Sequence, residues 1–309
     1  MKLVFMGTPD FAAAALEAIA ACHEVLAVFT QPDKPVGRKQ VLGQSPVKQL
    51  ALRLGIPVFQ PVSLKTAPEP AQILRDLAPD CIVVAAYGKI LPVEILSIPP
   101  LGCINIHASL LPNYRGASPI QAALLNGDAV TGVTTMYMDV GIDTGDMLET
   151  AEVPILPEDM LEPLTERLAV AGGQLILSTL EKLANGTAIP CKQPEGATYA
   201  PIVTKDMARL DFSLSAARLH NMVRAFQPWP VAWFALDGKK IKVFSAAVSA
   251  DSAGCPPGTV IEASGALTVA CGAGALRILS LQPENGKVMS AADYLRGHPI
   301  PEDKKLFLI

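Results

Sequence analysis

An amide and an imidazole two residues apart carry the first chemical signal in this 309-residue chain. The run Cys103-Ile104-Asn105-Ile106-His107 is short and largely apolar, as a buried strand is. Side chains alternate along a strand, so Cys103, Asn105 and His107 share one face and Ile104 and Ile106 the other. The run breaks into the loop Ser109-Leu110-Leu111-Pro112, and Pro119 suits the first turn of a following helix. Polar groups at a strand's C-terminal end stand where open α/β sheets place their ligands. Asn105 offers a neutral N–H donor to a developing oxyanion, and His107 can donate to it or move a proton. A Gly-rich acidic loop, residues 139–146 (DVGIDTGD), offers Asp139, Asp143 and Asp146 as the carboxylate that orients the imidazole or takes a proton. An Asn, a His and an Asp converging on one carbonyl would perform acyl transfer through a tetrahedral intermediate. No metal or covalent cofactor is expected. Cys103, on the same face as His107, is the alternative covalent nucleophile.

Elements must hold these groups. Residues 2–6 predict a strand, 11–21 an Ala-rich helix with Thr8 or Asp10 as N-cap, and 25–30 a second strand. The turn Gly7-Thr8-Pro9-Asp10 lacks G-x-G-x-x-G, so a dinucleotide cofactor is not expected. Residues 31–44 form a loop, longer than a simple connector, that carries Lys34, Arg38 and Lys39. Ser45-Pro46 then caps a helix reaching about residue 54. A short strand over 57–59 and a helix towards 77 lead to residues 81–85 (CIVVA), apolar throughout as a central parallel strand is. This run ends in Ala86-Tyr87-Gly88-Lys89, again at a C-terminal edge. A helix over 118–125 follows, then strands over 132–138 and 149–153 that can pair antiparallel. A long helix over 162–184 is ended by Asn185-Gly186-Thr187. Alternating strands and helices predict a doubly wound, mostly parallel, Rossmann-like α/β domain.

Residues 189–201 hold three Pro and no periodicity and read as a linker. Beyond a short helix over 215–225 come five brief strands, over 231–236, 240–248, 258–263, 267–271 and 276–281. Hairpin signals stand at Asp237-Gly238 and Asn285-Gly286. Five short strands suggest a small OB-like β-barrel domain, a fold often used on nucleic acids.

With 50% hydrophobic and 17% charged residues the chain can bury a good core. No apolar run approaches the roughly 20 residues that cross a bilayer, and the N-terminal apolar stretch is too short for a signal peptide, so a cytoplasmic protein is expected. The six cysteines are scattered without C-x-x-C, which predicts reduced thiols. Residues 1–189 carry 12 Lys+Arg against 19 Asp+Glu, a net of −7, whereas residues 190–309 carry 13 against 10, a net of +3. A basic second half on an acidic first half fits a chain that docks a polyanion with one part and does chemistry with the other.

Gly7-Thr8-Pro9-Asp10-Phe11, Thr30-Gln31-Pro32-Asp33-Lys34-Pro35, Ala86-Tyr87-Gly88, Asn105-Ile106-His107 with residues 109–112, residues 139–146 and Arg224-Ala225-Phe226-Gln227-Pro228-Trp229-Pro230 run nearly end to end through the chain. In these stretches and their order the sequence resembles the folate-dependent formyltransferases. The resemblance implies a formyltransferase catalytic domain over 1–188, a linker over 189–207 and a tRNA-docking domain over 208–309. It implies transfer of the formyl group of 10-formyltetrahydrofolate to the amino group of initiator methionyl-tRNA by a monomer. Among the three acidic candidates it selects Asp143 as partner of Asn105 and His107. Folate contacts are implied at Tyr87, Gly88, Ile90, Leu91, Ser109, Leu110, Leu111, Pro112, Asp139, Val140, Gly141 and Ile142. Lys34, Arg38 and Lys39 are implied tRNA contacts, Arg38 foremost; in the second half Arg218, Arg224, Lys239, Lys240 and Lys242 are candidate phosphate contacts on the tRNA. Two rivals remain: the same site with another acceptor, such as an amino-sugar nucleotide or water, and a folate-site fold kept as an RNA-binding scaffold.

Overall fold

A computed structural model describes residues 1–36 and 41–306; Arg38 and Lys39 lie outside them. The chain divides into two compact units: residues 1–119, 130–154 and 165–200 form the first, and residues 120–129, 155–164 and 201–309 the second.

The strands of the first unit are β1 (Lys2–Gly7), β2 (Glu24–Phe29), β3 (Lys34–Val36), β4 (Val41–Gly43), β5 (Val58–Phe59), β6 (Cys81–Ala85), β7 (Cys103–His107), β8 (Arg115–Gly116), β9 (Val130–Tyr137), β10 (Met147–Pro154) and β11 (Tyr199–Ala200). Up to residue 184 the helices are α1 (Asp10–Cys22), α2 (Pro46–Arg53), α3 (Glu69–Leu77), α4 (Val93–Leu96), α5 (Pro119–Asn126) and α6 (Leu161–Ala184). Seven strands make the main sheet in the order β10-β9-β7-β6-β1-β2-β5. The five from β7 to β5 are parallel, and β9 and β10 add an antiparallel edge. The chain leaves β1 towards β2 and β5 and then returns across to β6. The crevice at the C-terminal ends of β1 and β6 is therefore the switch point, where ligands bind in such sheets.

Central strands β1 and β6 are buried nearly throughout, which explains their unbroken apolar sequences. Phe11, Ala12, Ala15, Leu16 and Ile19 form the buried stripe of α1. In α6, Gly172 lets the helix lie close to the sheet, because a Cβ there would stand 3.1 Å from Ile106 Cγ2. That contact backs the face of β7 opposite Asn105 and His107. Ser45 caps α2 as expected, accepting from Lys48 N at 3.1 Å. The cap of α1 differs from expectation: Pro9 is its N-cap, and Asp10 is in the first turn. The Thr8 hydroxyl donates instead to the Tyr87 carbonyl at 3.3 Å, tying β1's exit to β6's. The loop expected over 31–44 includes two short strands, β3 and β4, paired antiparallel.

Residues 189–200, expected as free linker, are held on the first unit. Cys191 and Met147 exchange two backbone hydrogen bonds of 2.8 Å, and β11 pairs with β8. The contact division thus falls at residue 200, and it assigns residues 120–129 and 155–164 to the second unit.

The second unit carries α7 (Ala216–Ala225) and α8 (Ala291–Gly297) with β12 (Trp233–Leu236), β13 (Lys239–Ser249), β14 (Val260–Ala263), β15 (Leu267–Ala270), β16 (Ala275–Pro283) and β17 (Met289–Ser290). Its antiparallel sheet runs β12-β13-β16-β15-β14, with β17 on β16. Register shifts near Ser245 and between Val260 and Glu262 let the strands bend, so the sheet curls as an OB-like barrel does. Phe212 meets Phe234 edge-on at 5.8 Å in its core.

Candidate active site

Alternation along β7 places Asn105 and His107 on one face, and both are buried. The Asp143 carboxylate meets both. Its Oδ1 accepts from Asn105 Nδ2 at 3.3 Å, and its Oδ2 lies 3.6 Å from His107 Nδ1. The side chains of His107 and Asp143 are only 6% and 16% exposed, so the pair interacts through little water. His107 Nε2 lies 3.0 Å from the Tyr114 carbonyl, which can only accept, so that nitrogen carries a hydrogen. Nδ1 is the nitrogen turned to the carboxylate. Asn105 keeps its second Nδ2 hydrogen for a reacting oxygen.

Of the three candidate carboxylates, only Asp143 joins this arrangement. Asp139 is used inside its own loop, accepting from Gly141 N at 2.9 Å and Thr144 Oγ1 at 2.6 Å. Asp146 pairs with Lys192 at 2.8 Å. The loop glycines act by leaving room: a Cβ at Gly145 would overlap the Tyr137 carbonyl oxygen, and one at Gly141 the Thr144 hydroxyl. The left-handed residue of the loop is Asp143 itself, at φ +53°. Cys103 packs in the core beneath β7, and burial pushes its thiol up to about 12. A thiol so far from ionisation is no nucleophile at neutral pH, so the covalent alternative falls.

Other implied folate contacts divide in two. Tyr87, Leu91 and Leu111 bury their side chains, and burial pushes the Tyr87 phenol up to about 12. At Tyr87-Gly88 it is the backbone that is arranged: Ala86 and Gly88 have positive φ, and Gln31 Nε2 donates to the carbonyls of Tyr87 (3.0 Å) and Gly88 (3.2 Å). Ile90, Val140 and Ile142 instead expose large apolar side chains in the loops after β6 and β9. Exposed apolar groups beside ordered backbone suit a flat heterocycle with an apolar face and a hydrogen-bonding edge. Ser109 is fully buried, its hydroxyl donating to the Asn113 carbonyl at 2.5 Å; Leu110 and Pro112 are half-buried beside it.

Arg224 requires a correction. It is 8% exposed, and its guanidinium donates to the carbonyls of Leu156 (3.4 Å) and Asp159 (3.1 Å) and to Asn221 Oδ1 (2.7 Å). It is a clamp within the second unit, and a phosphate would have to displace these partners. Arg218 is likewise engaged, by the Leu125 carbonyl at the end of α5. Lys34 is exposed. Lys240 Nζ lies 4.1 Å from the Trp233 ring centroid, and burial together with Lys242 and Lys205 lowers its pKa.

Two roles are not legible in the sequence. The Gly116 backbone N–H donates to Asp143 Oδ2 at 2.8 Å, a role no side chain announces. Thr134, fully buried in β9, donates to the Ser109 carbonyl (2.7 Å) and accepts from Leu111 N (3.1 Å), fixing the loop after His107. A buried strand with three threonines, two of them adjacent at 134–135, was the available signal.

A doubly wound sheet with this Asn-His-Asp cluster, followed by a curled β unit, has the groups that transfer at a carbonyl carbon calls for: an oxyanion donor, an imidazole and a carboxylate. The formyl transferase family model matches residues 1–180 and its C-terminal domain model residues 202–299, so the chain belongs to the formyl transferase family. A methionyl-tRNA formyltransferase of Caldanaerobacter subterraneus subsp. tengcongensis is 49% identical over 304 residues, covering 98% of each chain. At 21% identity and a TM-score of 0.68, the N-formyltransferase of Helicobacter canadensis, solved with folinic acid and dTDP-3-aminofucose, shares the fold over 90% of this chain and 98% of its own. HypX of Aquifex aeolicus, solved with tetrahydrofolic acid, has 17% identity and a TM-score of 0.63; the match covers 98% of this chain and 48% of HypX, so the chain spans about half of that protein.

Proposed function

We propose that this chain transfers the formyl group of 10-formyltetrahydrofolate to the amino group of initiator methionyl-tRNA, giving the N-formylmethionyl-tRNA used in translation initiation. The observation that carries the reading is the meeting of Asn105, His107 and Asp143 within 3.3 and 3.6 Å contacts, in a chain 49% identical to a methionyl-tRNA formyltransferase. The neutral amine attacks the formyl carbon and forms a C–N bond, and the carbonyl electrons move onto oxygen. Asn105 donates to that oxyanion, and in hydrolases one such donor is worth about 3–4 kcal/mol. Asp143 takes the proton lost by the amine, directly or through His107. His107 returns a proton to the folate N10 as the C–N10 bond breaks, so one proton leaves the acceptor and one reaches the leaving nitrogen.

Residues Gly88, Ile90, Val140, Gly141 and Ile142 hold the folate, and Ser109, Leu110 and Pro112 shape the turn beside it. Lys34, Arg38 and Lys39 contact the tRNA, and the mutually repelling Lys205, Lys240 and Lys242 accept its phosphates on the second unit, with Arg218 adding charge. The enzyme works as a monomer, since all three reacting groups come from one unit of one chain, and in the cytoplasm, as its likeness to a methionyl-tRNA formyltransferase suggests.

The test is formyl transfer from 10-formyltetrahydrofolate to charged initiator tRNA, with elongator methionyl-tRNA and an amino-sugar nucleotide as parallel acceptors. Rapid transfer to the initiator alone is expected. Transfer to the sugar, or hydrolysis of the donor, would keep the Asn105-His107-Asp143 chemistry and overturn the acceptor.

A further inference from the structure

We infer that Gln193 and Arg115 are positioning residues that hold the Asp143 carboxylate in its reacting orientation. The inference rests on the reading of Asp143 given above and goes beyond it. Gln193 stands in the segment whose composition suggests a bare linker, yet its amide is fully committed. Its Nε2 donates to the carbonyls of Asp143 and Gly145, both at 2.8 Å. Its Oε1 accepts from Arg115 Nε at 3.0 Å and Nη2 at 2.7 Å. Carbonyls only accept and a guanidinium only donates, so this amide has one possible orientation.

These contacts close a circuit. Gln193 holds the backbone of Asp143, Arg115 holds Gln193, and the next residue, Gly116, holds the Asp143 carboxylate through its N–H at 2.8 Å. Asp143 is thereby gripped at its main chain by Gln193 and at its side chain by Gly116, two segments that Arg115 ties to each other. That grip is needed because its φ of +53° is a conformation an L residue seldom adopts unaided. The holding segment is anchored independently by the Cys191–Met147 backbone pair, and Arg115 N and Ala117 N donate to the carbonyls of Thr198 and Ala200, each at 2.9 Å. A strap that served connectivity alone would be complete with those backbone bonds. The Gln193 side chain adds bonds that go to the loop bearing Asp143 and to Arg115.

The test is a double-mutant cycle in the full-length enzyme, read as kcat and KM with a melting curve for each protein. Gln193→Ala should lower kcat roughly 10- to 100-fold, the scale of a misplaced reacting group. KM for the formyl donor should stay within about threefold, as when only a transition-state interaction is lost. Gln193→Glu should behave like Gln193→Ala, since it keeps an acceptor for Arg115 but sets a carboxylate oxygen against two carbonyls. In an Asp143→Asn background, Gln193→Ala should cost less than about twofold, because residues acting as one unit are not additive. An equal loss in both backgrounds would overturn the inference, showing that Gln193 acts through general stability. Wild-type kcat in Gln193→Ala would also overturn it while leaving Asp143's role intact, and an active Asp143→Asn enzyme would overturn that role itself.

Discussion

Replacing Asp143 by Asn isolates the charge at the site better than any other change. Asn tolerates the left-handed backbone that residue 143 adopts, and it is nearly the same size. Its amide cannot satisfy both neighbours, however. The oxygen can face the Gly116 N–H, now 2.8 Å from Oδ2, but Nδ2 then confronts Asn105 Nδ2 across a 3.3 Å contact, donor against donor. Asn105 must turn away, losing the orientation needed for the oxyanion. One lost hydrogen bond costs about 1 kcal/mol of stability, or a Tm shift of about 2–4 °C for a unit of this size. Loss of the acid–base group costs about 10²- to 10⁴-fold in rate, equivalent to about 2.7–5.4 kcal/mol of barrier at 1.36 kcal/mol per decade. Single-turnover transfer at saturating donor and charged tRNA separates the two scales. The expected result is a protein that melts within a few degrees of the parent, binds both substrates and turns over at most about one hundredth as fast. Turnover within about threefold of the parent, with ordinary KM values, would refute the assignment of the carboxylate to proton transfer or to orienting His107.

Three further outcomes follow from the same geometry. Arg224→Ala should lose about 2 kcal/mol in urea unfolding, because it removes the guanidinium's bond to the Asp159 carbonyl and its bond to Asn221, while the Leu156 carbonyl keeps the bond from Asp159 N; a selective loss of tRNA affinity with unchanged stability would restore it as a phosphate contact. In Gly145→Ala the new Cβ meets the Tyr137 carbonyl, part of the backbone, so the loop must shift; kcat should fall by about 10²-fold, and parental turnover would show that the loop need not be so tightly placed. Asp33 is bound by Lys48 (2.6 Å) and Gln60 (2.8 Å), and these bonds, Lys48's first, hold its carboxyl below the ordinary aspartate range. Its stabilisation is therefore complete above the ordinary pKa of about 3.9 and disappears as pH falls through the lower folded value. Melting curves should show Asp33→Asn less stable than the parent at pH 7 and the difference closing in strong acid; a constant difference would refute the ion pair's contribution.

The strand that carries Asn105 and His107 was legible because its pattern mixed two rules. An apolar run predicts a buried strand, and Asn105 and His107 break that run on the same side, which only function or a partner can offset. The doubly wound order was legible from alternating elements, and the curled second sheet from short strands with turn signals. What escaped was whatever depends on the tertiary path of the backbone. Arg224 looks like a surface cation in sequence, since nothing local says that residues 156 and 159 will bring two carbonyls to it. Thr8 looks like a helix cap until β6 delivers the Tyr87 carbonyl beside it. Residues 189–200 look like a linker because edge pairing to two-residue strands leaves no periodic trace.

The loop glycines expose the deeper reason. Sequence suggests that Gly141 and Gly145 bend the acidic loop through conformational freedom, but neither has positive φ; both are needed for close approach, and the unusual backbone falls on Asp143. A general base on a freely bending loop would sample many orientations and spend little time near His107. Here the bend is placed on Asp143, the proposed base, and its grips come from separate segments: Asn105 from β7, Gly116 from β8 and Gln193 from beyond α6. Fixing a carboxylate between donors before the substrate arrives removes reorganisation from the reaction step, which is where electrostatic catalysis gains most. The same fixation makes the site sensitive to residues far along the chain, so a substitution at 193 should be felt at 143 although fifty residues separate them.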